Sequence, residues 1–157
     1  MRVGMLGGGA MGSLFAGLLA GAGRSVAVLD RNPDHVARLQ DPGLRIEGAT
    51  EWQGRIEADT DPAELGRVDL LFVWVKSHQT ADALAGATPL YDEATTVCTL
   101  QNGLGNAETV ADFLPEENVV AGTTAHGATL ESPGRVYHAG RGPTRVGGYF
   151  DSAAQHV

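Results

Sequence analysis

An α/β fold with a doubly wound, mostly parallel sheet is predicted by three observations. Short apolar runs alternate with helix-like segments along most of the chain. Val68–Val75 is almost continuously apolar, the pattern of a strand covered on both faces of a parallel sheet. The first run, Arg2–Leu6, opens directly into Gly7-Gly8-Gly9-Ala10-Met11-Gly12, a glycine turn between a strand and a helix. The length of 157 residues suits one domain, and a hydrophobic content of 43% suffices for a full core.

The elements follow in order. After the glycine turn, Ser13–Ala22 has the small-residue pattern of a helix, and Val26–Leu29 is a second strand ending in Asp30-Arg31. Pro33 opens a helix to about Gln40, with Asn32 as its cap and Pro42-Gly43 as its stop. Leu44–Glu47 and Trp52–Ile56 alternate in polarity, like two strands of a hairpin beyond the main sheet. Asp61-Pro62 starts a short helix to Leu65. The Val68–Val75 strand ends at Lys76, and Ser77 is placed to cap a helix over Gln79–Ala85. Thr95–Leu100 is the next strand, Ala107–Phe113 a helix stopped by Pro115, and Asn118–Thr124 a further strand. From Ala125 the pattern changes to glycine-rich hairpins over Ala128–Leu130, Arg135–Ala139 and Thr144–Gly148, an antiparallel addition.

The glycine segment matches G-x-G-x-x-G at Gly7, Gly9 and Gly12. That motif is confirmed by its context, and here the context is strand, turn, helix, strand. Gly7 allows the tight turn, Gly9 lets a pyrophosphate approach the main chain, and Gly12 lets the helix pack against the strand. The free N–H groups from Ala10 to Ser13 would face the phosphates. Asp30 follows at about the 20-residue spacing usual for the acid that accepts from an adenosine ribose. The pattern is that of a Rossmann-type dinucleotide fold; the competing reading is a plain glycine-rich turn.

Ligands of open α/β sheets sit at the carboxyl ends of the strands. Three polar clusters fall there: Asp30-Arg31, Lys76-Ser77-His78-Gln79 and Gln101-Asn102-Gly103. Lys76 is the single lysine in a chain that otherwise uses arginine. Its ammonium suits a ribose hydroxyl or a substrate carboxylate or carbonyl; the alternative is a solvated strand-end charge. The Asn102 amide suits a nicotinamide or substrate; the alternative is a turn-forming Asn before Gly103. Asp30 favours NAD, whereas Arg31 suits the 2′-phosphate of NADP, so the pair argues both ways.

Composition excludes several classes. A net charge of −8 without a basic stripe argues against a nucleic-acid partner. The single cysteine, Cys98, precludes an intramolecular disulfide and a Cys-based zinc site, and reads as a small buried hydrophobe; the histidines show no metal spacing. The uncharged stretch between Arg2 and Arg24 has the length of a membrane span, but its eight glycines suit the dinucleotide turn and not an apolar helix. The expectation is a cytoplasmic protein with no membrane partner.

The whole pattern resembles the N-terminal domain of the ketopantoate reductase (2-dehydropantoate 2-reductase) family. The resemblance is carried by Gly7–Gly12, by Trp74-Val75-Lys76-Ser77-His78-Gln79-Thr80, by Leu100-Gln101-Asn102-Gly103-Leu104-Gly105, and by Gly122-Thr123-Thr124-Ala125-His126-Gly127-Ala128, continuing through His138 to Gly147. It implies NADPH-dependent reduction of ketopantoate to pantoate, on the route to pantothenate and coenzyme A. By that resemblance Gly7, Gly8, Gly9, Ala10, Met11 and Gly12 cradle the pyrophosphate, and Arg31 contacts the 2′-phosphate. Lys76 and Asn102 lie near the nicotinamide ribose and the 2-keto acid substrate, and the Ala128 backbone lies near the nicotinamide. Asp30 departs from the small or apolar residue expected beside that arginine and leaves NAD open as cofactor.

Family members also carry a helical C-terminal domain that supplies the general-acid lysine, and this sequence stops before it. The implied organisation is a dinucleotide-binding domain over 1–150 and the start of a truncated connection over 151–157. No catalytic residue is then expected in this chain, which would bind a dinucleotide but reduce ketopantoate poorly or not at all. Apolar surface left uncovered would favour a homodimer. Two other readings remain: a related dehydrogenase of another keto or hydroxy acid, and a non-catalytic nucleotide-binding module.

Overall fold

A computed structural model describes residues 1–150. The expected connection over 151–157 lies outside the described residues. Strands β1 (Arg2–Leu6), β2 (Ser25–Leu29), β5 (Glu57–Asp59), β6 (Leu70–Val73), β7 (Thr96–Thr99), β8 (Val119–Thr124) and β11 (Thr144–Gly148) form the main sheet in the order β11-β8-β7-β6-β1-β2-β5. All its pairings are parallel except β8 with β11. This is the doubly wound sheet the sequence predicts. The chain winds outward from β1 through β2 on one side and then through β6, β7 and β8 on the other. A crevice therefore opens at the carboxyl ends of β1 and β6, where the direction of winding reverses.

Two cores follow from the two covered faces. On one, Leu65, Leu84, Leu90, Val110 and Leu114 pack together with Leu71, Val73 and Val97, covered by α3 (Pro62–Leu65), α4 (Thr80–Gly86) and α5 (Asn106–Ala111). On the other, α1 (Ala10–Gly21) buries Leu14, Phe15 and Ala16 against Val3, Met5 and Val28. A second sheet covers the outer side of α1. It has the order β4-β3-β10-β9, from β3 (Leu44–Gly48), β4 (Trp52–Gly54), β9 (Gly127–Ser132) and β10 (Arg135–Gly140). Its Ile46 and Val136 belong to the same buried cluster as α1. Each end of this layer is a hairpin-like antiparallel pair, but β3 and β10 pair in parallel, Arg45 opposite Arg135 and Ile46 opposite Val136.

The differences from the sequence reading have local causes. Helix α1 begins at Ala10, within the glycine motif, because Gly9 takes the extended cap conformation. Asn32 caps α2 (Pro33–Arg38) as expected, its Oδ1 accepting from the Asp34 and His35 N–H groups. The apolar run Val68–Val75 yields only Leu70–Val73 as strand, since its flanks turn into the neighbouring loops. Ser77 is not the cap of a helix from Gln79. It opens a 3₁₀ turn, Ser77–Gln79, before α4, and its hydroxyl donates elsewhere. The helix expected to reach Phe113 ends at Ala111, and β5 carries too few apolar residues to have been read as a strand.

Candidate functional site

The crevice at the switch point has a volume of about 920 Å³. Its walls bring together the three strand-end clusters and the glycine turn: Gly7, Gly9, Ala10 and Met11 from β1–α1, Asp30 and Arg31 from the end of β2, Lys76 and Ser77 beyond β6, and Gln101 and Asn102 beyond β7. Gly8 and Gly12 are buried in the same turn but do not line it, and neither does Ala128. Ala128 lies on β9, half-buried against the core around α1.

The glycine turn is held by its backbone. Gly7 has φ +103°, a left-handed angle that L side chains rarely adopt, and its N–H donates to the Leu29 carbonyl at 2.9 Å. A Cβ on Gly12 would fall 1.9 Å from the Gly7 carbonyl oxygen. Among the described residues no side chain caps α1, and its first turn carries no acid. Its leading N–H groups therefore face the crevice without an internal partner, at the positive end of the helix dipole. The position a Cβ would take on Gly9 is open space.

Gly8 is held through both of the peptide groups that flank it. Its N–H donates to Asp30 Oδ2 at 2.7 Å, and its carbonyl accepts from the Ser13 hydroxyl at 2.6 Å. The other Asp30 oxygen accepts from the Asn32 N–H at 2.8 Å. Asp30 thus binds the turn itself, a role its spacing alone did not reveal. Arg31 beside it is exposed.

The opposite wall is built from side chains. Gln101 ties the strand ends together: its amide donates to the Val75 carbonyl and to Thr80 Oγ1, and its Oε1 accepts from Thr99 Oγ1 at 2.9 Å. Ser77 Oγ donates to the Asn102 carbonyl at 2.9 Å, and Asn106 Nδ2 donates to the same oxygen at 3.2 Å. The backbone of Asn102 is fixed by these contacts while its side chain, like that of Lys76, is exposed. Trp74 lines the floor, packed on Phe15 at 4.8 Å between centroids and stacked with Phe72. Two buried histidines lie behind α1. Burial holds His35 below the usual imidazole range, against the opposing charge of Asp30. Burial, then the neighbouring His126, lowers His138, whose Nε2 is 3.0 Å from His126 Nδ1. Cys98 is buried in β7, its thiol pushed up to about 12 by burial. Among the described residues no helix is long and apolar enough to cross a membrane.

The sequence reading gave Ser13 only a free N–H toward the phosphates, which the structure instead pairs with the Gly9 carbonyl at 2.9 Å, and it gave His35 no role. The one available signal was a serine on an otherwise apolar helix.

The family model of ketopantoate reductase PanE/ApbA matches residues 3–150. The chain is 43% identical over 152 residues to the 2-dehydropantoate 2-reductase of Halobacterium salinarum, covering 95% of this chain and 50% of that protein. It is 37% identical over 149 residues to that of Pyrococcus abyssi, covering 95% and 48%. The chain thus spans about half the length of the curated relatives it matches. Among solved structures, it is similar to a PanE/ApbA family ketopantoate reductase from Ralstonia eutropha, with a TM-score of 0.84, 33% identity and coverage of 93% of this chain and 49% of that one. It is also similar to a D-mandelate dehydrogenase solved with NADH and anilino(oxo)acetate, with a TM-score of 0.90, 29% identity and coverage of 99% and 51%.

Proposed function

Because the chain belongs to the ketopantoate reductase family, we propose that it is the dinucleotide-binding half of a cytoplasmic 2-dehydropantoate 2-reductase. The reaction is NADPH-dependent reduction of ketopantoate to pantoate, toward pantothenate and coenzyme A. The observation that carries this reading is the crevice itself: an uncapped helix N-terminus, open space above Gly9 and the arginine of the β2 end share one cavity. These features fit a pyrophosphate and an adenosine ribose. The bound cofactor would supply the hydride.

The residues divide the work. The turn Gly7–Gly12 presents the N–H groups of Gly9, Ala10 and Met11 to the pyrophosphate, with Gly8 and Gly12 shaping it from below. Arg31 pairs with a 2′-phosphate. Lys76 and Asn102 orient the nicotinamide ribose and the 2-keto acid, and the Ala128 backbone borders the nicotinamide end. Reduction of a ketone also needs a proton donor at the developing alkoxide. The crevice offers one amine, Lys76, which this reading assigns to binding. Residues 1–157 alone therefore bind the cofactor without turning over ketopantoate.

The test is fluorescence titration of the chain with NADPH and NADH. Saturable NADPH binding is expected, weakened about tenfold or more by Arg31→Ala through loss of a charge-assisted contact. No binding of either dinucleotide to the folded chain overturns the reading.

One observation favours a second reading. The Asp30 carboxylate stands next to Arg31 and would repel an added phosphate, and the D-mandelate dehydrogenase similar to this chain was solved with NADH. Under that reading the chain serves an NAD-dependent reductase of another small 2-keto acid. Tighter binding of NADH than of NADPH supports it.

A further inference from the structure

We propose that His35 is a positioning residue for the dinucleotide: as its neutral Nε2–H tautomer it locks the Gly8 carbonyl through Ser13 and so fixes the phosphate-binding turn. This inference rests on the dinucleotide reading above.

Hydrogen-bond polarity leaves one arrangement. The Gly134 N–H, in the turn between β9 and β10, donates to His35 Nδ1 at 3.1 Å. A backbone N–H can only donate, so Nδ1 is unprotonated. Ser13 Oγ donates its single proton to the Gly8 carbonyl at 2.6 Å, which can only accept. The remaining contact, Ser13 Oγ to His35 Nε2 at 3.0 Å, must then be donated by Nε2–H. The chain runs Gly134 N–H to His35, to Ser13, to Gly8, and the Gly8 N–H continues it to Asp30 Oδ2. Ser13 and His35 are buried, so no bulk water substitutes for a missing link. The plane of the peptide that follows Gly8 is set by the Ser13 contact. That plane is the Gly8–Gly9 peptide, and it carries the Gly9 N–H on the edge opposite the Gly8 carbonyl, so its tilt decides where the Gly9 N–H points.

A proton on Nδ1 would set two donors face to face at Gly134. The charges on the elements around His35 are Asp30 and Arg31 beyond β2, Glu57 and Asp59 on β5, Asp34 and Arg38 on its own helix, and Glu131 and Arg135 on the two strands that flank the turn; α1 carries none. Asp30 attracts that proton, but burial opposes it more strongly.

The experiment is NADH titration from about pH 8 to about pH 5.5, across the histidine range, with wild type, His35→Gln and Ser13→Ala. NADH carries no 2′-phosphate to titrate in this range. Glutamine places a non-titrating amide donor where Nε2 stands. Wild-type affinity is expected to fall several-fold toward acid, with His35→Gln flat over the same range. Ser13→Ala is expected to bind about fivefold more weakly at pH 8, the loss of one hydrogen bond. Identical profiles for wild type and His35→Gln, or unchanged affinity in Ser13→Ala, overturn the proposal while leaving the dinucleotide reading intact. A folded wild type that binds neither NADH nor NADPH overturns both. Should a variant fail to fold, the ¹H–¹⁵N spectrum of the wild-type histidines decides: an Nδ1–H tautomer at His35 overturns the proposal, and an Nε2–H tautomer supports it.

Discussion

The two walls of the crevice are built by opposite means. The wall from β1 and β2 is backbone: a left-handed glycine, a close helix approach and a glycine held through both flanking peptides. The wall beyond β6 and β7 is side chain: Gln101 and Ser77 tie two loops, and Lys76 and Asn102 project from them. The first wall has little room for substitution, because a backbone contact has no rotamer with which to relieve a clash. The second has anchors and free ends, and only the anchors bear on stability.

The contrast is broken most strongly at Gly12. Gly12→Ala places a methyl against the Gly7 carbonyl and is expected to destabilise by about 1–3 kcal/mol. This outweighs the roughly 1 kcal/mol gained in helix propensity. Dinucleotide binding is lost with it, and urea unfolding with NADPH titration measures both. Next comes Gln101→Ala, which removes the tie among Val75, Thr80 and Thr99. It is expected to cost about 1–2 kcal/mol in urea unfolding, with dinucleotide affinity retained within a few-fold.

Acid has a smaller effect, centred behind the first wall. His35 and His138 are held below the usual imidazole range, so the unfolded chain binds more protons as pH falls through about 6.5. Stability is then full above that value and declines below it; melting temperature measured from about pH 7.5 to about pH 5.5 should fall, and a rise contradicts the buried neutral imidazoles. The smallest effect is expected at the exposed free end. Asn102→Ala keeps the Asn102 carbonyl contacts and should change stability by less than about 0.5 kcal/mol. A larger loss would mean that the second wall is as tightly built as the first.

How much of this was legible in the sequence divides along the same line. The first wall is local: Gly7, Gly12 and Asp30 lie within one strand–turn–helix–strand unit, so spacing announces them. The alternation of strands and helices, the asparagine cap of α2 and the burial of Cys98 were readable from local pattern as well. The lock on Gly8 was not, because its partners include Gly134, far along the chain, and hydrogen-bond polarity leaves no period in a sequence. Ser77 failed as a helix cap because the 3₁₀ turn Ser77–Gln79 separates it from α4, and its hydroxyl turns to the Asn102 carbonyl on the same wall. The parallel pairing of β3 with β10 was hidden as well: each strand carries the signals of its own hairpin and none of the partner across the layer.

That pairing sets a timetable for synthesis. The phosphate turn and α1 emerge first, yet the strand that closes the layer over α1 ends at Gly140. Until it arrives, only β3 and β4 are at hand to cover the outer side of α1, and Gly134 cannot reach His35. Contacts that join such distant segments form slowly, since a long loop must close before they stabilise anything. The glycine signature, though written at the very start of the chain, therefore takes its final shape only once Gly134, 99 residues beyond His35, has joined the layer.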